Sequence, residues 1–174
     1  MNQSTPDHLP FSAEMQAKFA REVAKFPSAR AQSAVMACLA IVQQEQGHVS
    51  AEAEKAVADY LGMPPIAVHE VTTFYNMYNQ QPVGRFKLNV CTNLPCALRD
   101  GESALQHVCS RLGVEPYGTT ADGAFTVQPS ECLGACADAP VLLVNDRQMV
   151  SFMNDARLDE LVVTLRDSNP ARPA

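Results

Sequence analysis

Phe86-Lys-Leu-Asn-Val-Cys91-Thr-Asn-Leu-Pro-Cys96 reads as a β-strand that ends on one cysteine, followed by a short loop and a second cysteine at the head of a helix. A matching pair follows at Glu131-Cys132-Leu-Gly-Ala-Cys136. Two tight pairs supply four thiolates, the ligand count of a two-iron, two-sulfide cluster. The other two of the six cysteines, Cys38 and Cys109, fall on apolar faces of helix-like stretches, where buried core thiols are expected.

Working outward from the first pair, Cys96 to Leu112 reads as one helix, with Leu105, Val108, Cys109 and Leu112 inward and Gly113 as its stop. A polar loop with Gly118 and Asp122-Gly123 leads to a strand over Ala124–Gln128. After the second pair, Val141–Val144 and Gln148–Phe152 flank Asn145-Asp146-Arg147, a hairpin signal. Asn154 then caps a helix carrying Leu158, Leu161, Val162 and Leu165, and Ser168–Ala174 reads as a frayed tail. Strand, helix, strand, then strand, strand, helix is a thioredoxin-like order. A right-handed crossover makes the first two strands parallel, and the hairpin adds two antiparallel ones. In that topology both cysteine pairs lie at one end of a four-stranded mixed sheet.

Residues 1–80 carry a different pattern. Ser12 caps a helix with Met15, Phe19 and Val23 on one face; Ser28 opens a second with Val35, Cys38, Leu39 and Val42, stopped by Gly47. Ser50 caps a third that runs to Gly62, and Pro64-Pro65 opens a fourth through Tyr78. Four short helices with brief loops predict a small bundle. On the fourth, Phe74, Tyr75 and Tyr78 are expected in the core, with a partner-facing role as the alternative. The join at Asn79–Gly84 divides the chain into residues 1–80 and 81–174.

Composition narrows the function. The chain has 174 residues and a formal charge of −6. A chain of this size buries roughly 70 % of its unfolded surface and needs no disulfides. Counting four thiolates and an oxidised cluster core takes the charge to about −8. That balance excludes nucleic acid and an anionic membrane surface as partners, and favours a protein with a basic face. No stretch approaches the ~20 apolar residues of a membrane span. Met1–Pro10 lacks the pattern of a signal peptide, so a reducing compartment is expected. No Gly-x-Gly occurs, so the chain is expected to bind no flavin or NAD of its own, and no catalytic residues are legible.

Other chemistries fit the cysteines as well. Structural zinc spans similar gaps and stays open on spacing alone. A thiol–disulfide enzyme lacks its Cys-x-x-Cys, and the scattered histidines (His8, His48, His69, His107) provide no Rieske site. Gly134 suits a loop whose backbone closely approaches sulfur, and Pro95 stiffens the first loop. Backbone amides near the sulfurs would raise a cluster's potential, while Glu131 and Asp138 would lower it.

Cys91-Thr-Asn-Leu-Pro-Cys96, Glu131-Cys-Leu-Gly-Ala-Cys136 and Ala139-Pro140 resemble the thioredoxin-like [2Fe–2S] ferredoxin subunit of NADH–quinone oxidoreductase (respiratory complex I). His69-Glu-Val-Thr-Thr-Phe-Tyr75 and Thr120-Ala-Asp-Gly123 extend the likeness over about residues 11–166. The resemblance implies an α+β fold, an N-terminal helical bundle that docks a partner followed by a thioredoxin-like [2Fe–2S] domain. It implies one [2Fe–2S] cluster, with Cys91 and Cys96 on one iron and Cys132 and Cys136 on the other. It implies electron exchange with the flavin of an NADH-binding subunit, contact with other peripheral-arm subunits, and a place on the cytoplasmic face of an energy-transducing membrane, without membrane insertion. Soluble NAD-linked formate dehydrogenases and NAD-reducing hydrogenases use similar subunits; the Thr-Asn-Leu-Pro filling of the first pair favours the respiratory version. A free-standing electron shuttle would leave the helical half without a role. Ala139-Pro140 stands where such folds can hold a cis proline.

Overall fold

A computed structural model describes residues 11–168, so the readings of Met1–Pro10 and of the tail beyond Ser168 lie outside the described residues. The chain divides into two compact units, with the boundary between Pro82 and Val83.

The first unit is helical. α1 (Ala13–Val23) starts at Ser12, whose hydroxyl accepts the Met15 N–H at 3.2 Å, and buries Met15 and Phe19. α2 (Val35–Gln46) buries Cys38, Leu39 and Val42 and ends at Gly47, where φ is 81°. α3 (Ala51–Leu61) is capped by Ser50, and α4 (Pro65–Phe74) opens on its proline. Around Phe19 the core gathers Leu39, Val42, Val57 and Val68. Phe19 meets Phe11 and Tyr60 edge-on, with ring centroids 5.1 and 5.2 Å apart.

Three expectations are corrected here. The helix expected from Ser28 is a 3-10 segment over Ser28–Ala34, broken at Arg30, and regular α-helix begins only at Val35. Of Ser28–Ala34 only Ala34 is buried, so little packing holds that stretch in a regular helix. The fourth helix stops at Phe74 rather than Tyr78. Beyond it the chain is claimed by α2: Gln43 donates to the Met77 carbonyl and accepts the Asn79 N–H, and the Tyr78 hydroxyl donates to the Met36 carbonyl at 2.9 Å. Tyr78 therefore enters the core, whereas Phe74 and Tyr75 are exposed, Phe74 to 79 %. Among the buried groups is Glu54, whose carboxylate pairs with His69 Nδ1 at 2.9 Å and accepts the Thr72 hydroxyl.

The second unit holds a four-stranded mixed sheet in the order β2-β1-β3-β4. β1 (Phe86–Cys91) runs parallel to β2 (Phe125–Ser130), in a register that pairs Phe86 with Phe125 and Cys91 with Ser130. β3 (Leu142–Val144) and β4 (Gln148–Val150) complete it as an antiparallel hairpin. Asn145 and Asp146 take φ of 51° and 57°, as a type I′ turn requires. The helix expected from Cys96 to Leu112 is two, α5 (Leu94–Ala97) and α6 (Gly101–Leu112), separated by Asp100 in the left-handed region at φ 67°. α6 and α7 (Asp155–Asp167) cover one face with Ala104, Val108, Leu158 and Val162 against Leu88, Val90, Phe125 and Leu142. On the other face Lys87, only 2 % exposed, meets Asp146 Oδ2 at 2.6 Å, and Asn89 donates to Asp146 Oδ1.

Strand boundaries shift modestly. β2 begins one residue later than expected and runs on to Ser130, and β4 ends at Val150 rather than Phe152. The Ala139–Pro140 bond is cis.

Asp146→Ala removes the carboxylate facing the buried Lys87 ammonium and should lower stability by about 3 kcal/mol. Urea unfolding measures this, and a loss well below ~1 kcal/mol would show that the pair is not needed. Burial pushes the Cys38 thiol up to about 12, and the Tyr78 phenol likewise to about 12. An unfolded thiol titrates near ~8.5, so above that pH the folded chain keeps a proton that the unfolded chain has lost. Stability should therefore fall as pH rises from about 8.5 towards 12, and Cys38→Ala should flatten part of that slope in equilibrium unfolding followed against pH.

Candidate metal centre

The end of β1 carries the first pair. Cys91 donates its N–H to the Val141 carbonyl at 3.0 Å, and Thr92 donates to Ser130 at 3.0 Å, so the strand is held on both sides as it reaches its sulfur. α5 then folds back with Pro95 in its first turn and turns Cys96 inward; Cys91 and Cys96 are 2 % and 1 % exposed. Asp100, in its left-handed conformation, starts α6 against this loop. A Cβ built on Gly101 would lie 2.8 Å from both the Cys91 and the Cys96 carbonyl oxygens, so α6 begins in direct contact with the backbone of the pair.

The second pair occupies the loop that leaves β2. Gly134 adopts φ 83° and points its N–H at Cys132 Sγ, 3.4 Å away, and the Cys132 and Cys136 sulfurs are also 3.4 Å apart. Cys136 opens a short 3-10 turn to Asp138, after which the cis Ala139–Pro140 bond leads into β3. The segment after β4 clamps this turn: Phe152 N–H donates to the Asp138 carbonyl at 2.9 Å and Met153 N–H to Pro140 at 3.0 Å. Asn93 Nδ2 donates to Glu131 Oε2 at 2.7 Å and links the two cysteine loops directly.

The structure thus brings all four cysteines to one end of the sheet, with Cys91, Cys96, Ala139 and Val141 forming a small apolar cluster backed by Leu133 and Ala135. The pairs differ in environment: Cys132 and Cys136 are exposed. Burial raises the Cys96 thiol, opposed by the Val141 N–H directed at it and reinforced by neighbouring Cys91 and Cys136. The Gly134 N–H, followed by a hydrogen bond from Cys136, lowers Cys132; Cys136, the donor, is raised.

This donor set suits a two-iron cluster. Such a cluster takes two thiolates per iron, and the four cysteines stand as two pairs, Cys91 with Cys96 in one buried cluster and Cys132 with Cys136 at 3.4 Å between sulfurs. Four thiolates also meet the ligand count of a single zinc ion, which binds sulfur at ~2.3 Å. His69 is engaged with Glu54, and His107 with Asp155 and Asp159. Cys38 lies in the core of the helical unit and Cys109 on α6.

Sequence reasoning missed the supports of this centre. Asp100, Gly101 and the Phe152–Met153 clamp are all remote from the cysteine motifs or hidden inside a helical pattern. The Asp100-Gly101 pair inside a supposedly continuous helix was the one available signal for the break.

Residues 19–166 match the family described as thioredoxin-like [2Fe-2S] ferredoxin. The chain is 41 % identical over 143 residues to a subunit of the NADH-quinone oxidoreductase of Rhizobium meliloti (strain 1021), covering 82 % of this chain and 83 % of that protein. It is 39 % identical to NADH-quinone oxidoreductase subunit 2 of Thermus thermophilus, over 82 % of this chain and 79 % of the relative. A solved NAD+-reducing [NiFe]-hydrogenase in the air-oxidised state superposes with a TM-score of 0.64 at 23 % identity, over 76 % of this chain and 23 % of the hydrogenase chain. Matched over most of its length, the chain belongs to the thioredoxin-like [2Fe–2S] ferredoxin family, and its cofactor is one [2Fe–2S] cluster.

Proposed function

We propose that this chain is the [2Fe–2S] electron-transfer subunit of an NADH–quinone oxidoreductase, with Cys91 and Cys96 on one iron and Cys132 and Cys136 on the other. The observation that carries the reading is the convergence of these four thiols, and of no other cysteine, at one end of the sheet. Relatives named as subunits of that oxidoreductase match more than four-fifths of the chain, which supports the respiratory complex as the setting. The hydrogenase likeness, at 23 % identity, speaks for the fold alone, so a soluble NAD-linked dehydrogenase remains the second reading.

When bound, a [2Fe–2S] cluster supplies a one-electron reservoir. The chain's own groups set its terms. The N–H groups of Gly134 and Val141 point at the Cys132 and Cys96 sulfurs and stabilise negative charge there, favouring reduction. Asp138 and Glu131 oppose this, with Glu131 accepting a hydrogen bond from Asn93. The partner is the flavin- and NADH-binding subunit, among the other subunits of the peripheral arm. No helix among the described residues is long and apolar enough to cross a membrane. The setting proposed for the chain is peripheral, on the cytoplasmic face of the membrane. Residues 1–80 serve as a docking unit: α4 presents Ile66 and Phe74, 63 % and 79 % exposed, with Tyr75 and Met77 beyond.

Anaerobically purified protein should contain two irons and two sulfides per chain and show a spin-half EPR signal only after reduction by dithionite. One zinc with no sulfide, persisting after reconstitution with iron and sulfide, would overturn the reading. Replacing Cys91, Cys96, Cys132 or Cys136 singly by alanine should cost most of the cluster, read as iron and sulfide content, whereas Cys38→Ser and Cys109→Ser should retain it. A requirement for Cys109 would show the ligand set to be wrong. Phe74→Asp should leave the EPR signal intact and weaken co-purification with the flavin subunit; undiminished co-purification would remove α4 from the docking surface.

A further inference from the structure

We infer that Leu94, Leu98 and Phe152 form the seat on which the flavin-carrying subunit rests, an apolar contact at the cysteine end set within an acidic surround. This inference rests on the functional reading above and assigns to it a surface.

The geometry of α5 supplies the first half. Leu94 and Leu98 stand one helical turn apart and are 68 % and 78 % exposed, while Cys96 between them is 1 % exposed. The same short helix therefore turns a sulfur inward and two leucines outward. Isolated exposed leucines are common on any protein, but these flank the loop that holds a ligand pair.

Phe152 supplies the second half. Its φ is 55°, a left-handed conformation that disfavours an aromatic side chain, and its ring is 48 % exposed. Core burial therefore does not account for the residue. Its backbone is nevertheless fixed, since the N–H groups of Phe152 and Met153 donate to the carbonyls of Asp138 and Pro140. These bonds tie the ring to the turn that begins at Cys136. Phe152 also lines a cavity of about 550 Å³ with Arg99, Ala139 and Pro140, which joins the end of α5 to the segment after β4. The three apolar side chains thus belong to one end of the unit, the end at which Cys132 and Cys136 are exposed.

Charge selects the occupant. Asp100, Glu131, Asp138 and Asp155 lie beside this end against Arg99 and Arg157. The four thiolates with an oxidised cluster core add a net charge of about −2, of the same sign. A partner with an apolar centre and a basic rim complements the surface, whereas a second copy of this acidic chain would be repelled. The side on which sulfur is exposed offers a flavin the shortest approach to the cluster, and a water-excluding apolar contact there allows that approach.

The test measures binding of the full-length, cluster-loaded chain to the flavin-carrying subunit of the same organism. The variants are the double substitution Leu94→Gln with Leu98→Gln, and separately Phe152→Asn, since asparagine tolerates the left-handed conformation. Both should keep the wild-type visible spectrum and reduced EPR signal while weakening Kd by about tenfold or more. Tyr117→Gln, 70 % exposed but outside the seat, should bind as wild type does. Wild-type binding should also weaken as salt is raised. If wild type binds and both variants match it within about twofold, the seat is wrong and the functional reading stands. If wild type itself fails to bind the flavin subunit, the functional reading falls and the seat with it.

Discussion

The parallel pairing of β1 with β2 is the constraint on which this molecule depends. Its register sets Cys91 opposite Ser130, two residues before Cys132, so both strands deliver their cysteines at the same edge of the sheet. An antiparallel pairing would send the second pair to the far end, and no loop rearrangement of this length would bring four thiols together. The hairpin contributes from the other side of β1, where the Val141 carbonyl holds the Cys91 N–H and the Val141 N–H faces Cys96. The centre is thus a consequence of strand order, and the loops that carry the sulfurs adjust only their local spacing.

The two pairs are built differently. Cys91 and Cys96, both buried, are held by a strand end, a helical turn and the start of α6. Cys132 and Cys136 sit on an exposed loop whose shape comes from Gly134 and from the backbone clamp of Phe152 and Met153. One side anchors the centre in the protein and the other presents it outward. A carrier that must keep its cofactor and still reach a partner needs both properties, and the asymmetry separates them onto different elements.

The helical unit follows a separate logic. Its core closes on Phe19, Leu39 and Val57, and a buried carboxylate, Glu54, fastens α3 to α4 through His69 and Thr72. With α4 so fixed, its outward aromatic residue Phe74 is left without a partner in the core of the unit. Tyr78, four residues past the end of the helix, turns inward because its hydroxyl reaches the Met36 carbonyl. Neighbouring aromatics that look equivalent in the sequence therefore divide between core and surface.

Much of this was legible in the amino-acid order because the signals are local. Ser12, Ser50 and Asn154 cap the helices they were expected to cap, Gly47, Gly62 and Gly113 stop theirs, and Asn145-Asp146 turns the hairpin. Each involves a hydrogen bond or a dihedral that neighbouring residues settle among themselves. The cysteine spacing likewise marked four candidate ligands, with the family resemblance pointing to a [2Fe–2S] cluster where spacing alone left zinc open. What only the tertiary structure decided depended on residues distant in the chain. The helix after Cys96 breaks at Asp100 because α6 begins against the backbone of the first pair, and α4 ends at Phe74 because Gln43 claims the chain that follows. The Lys87–Asp146 contact and the Phe152 clamp arise only once the hairpin lies beside β1 and next to the second cysteine loop. The amino-acid order by itself therefore determined most of the elements and the candidate ligand set, while folding decided which backbone and side-chain groups surround the sulfurs, because those contacts exist only between segments that the sheet brings together.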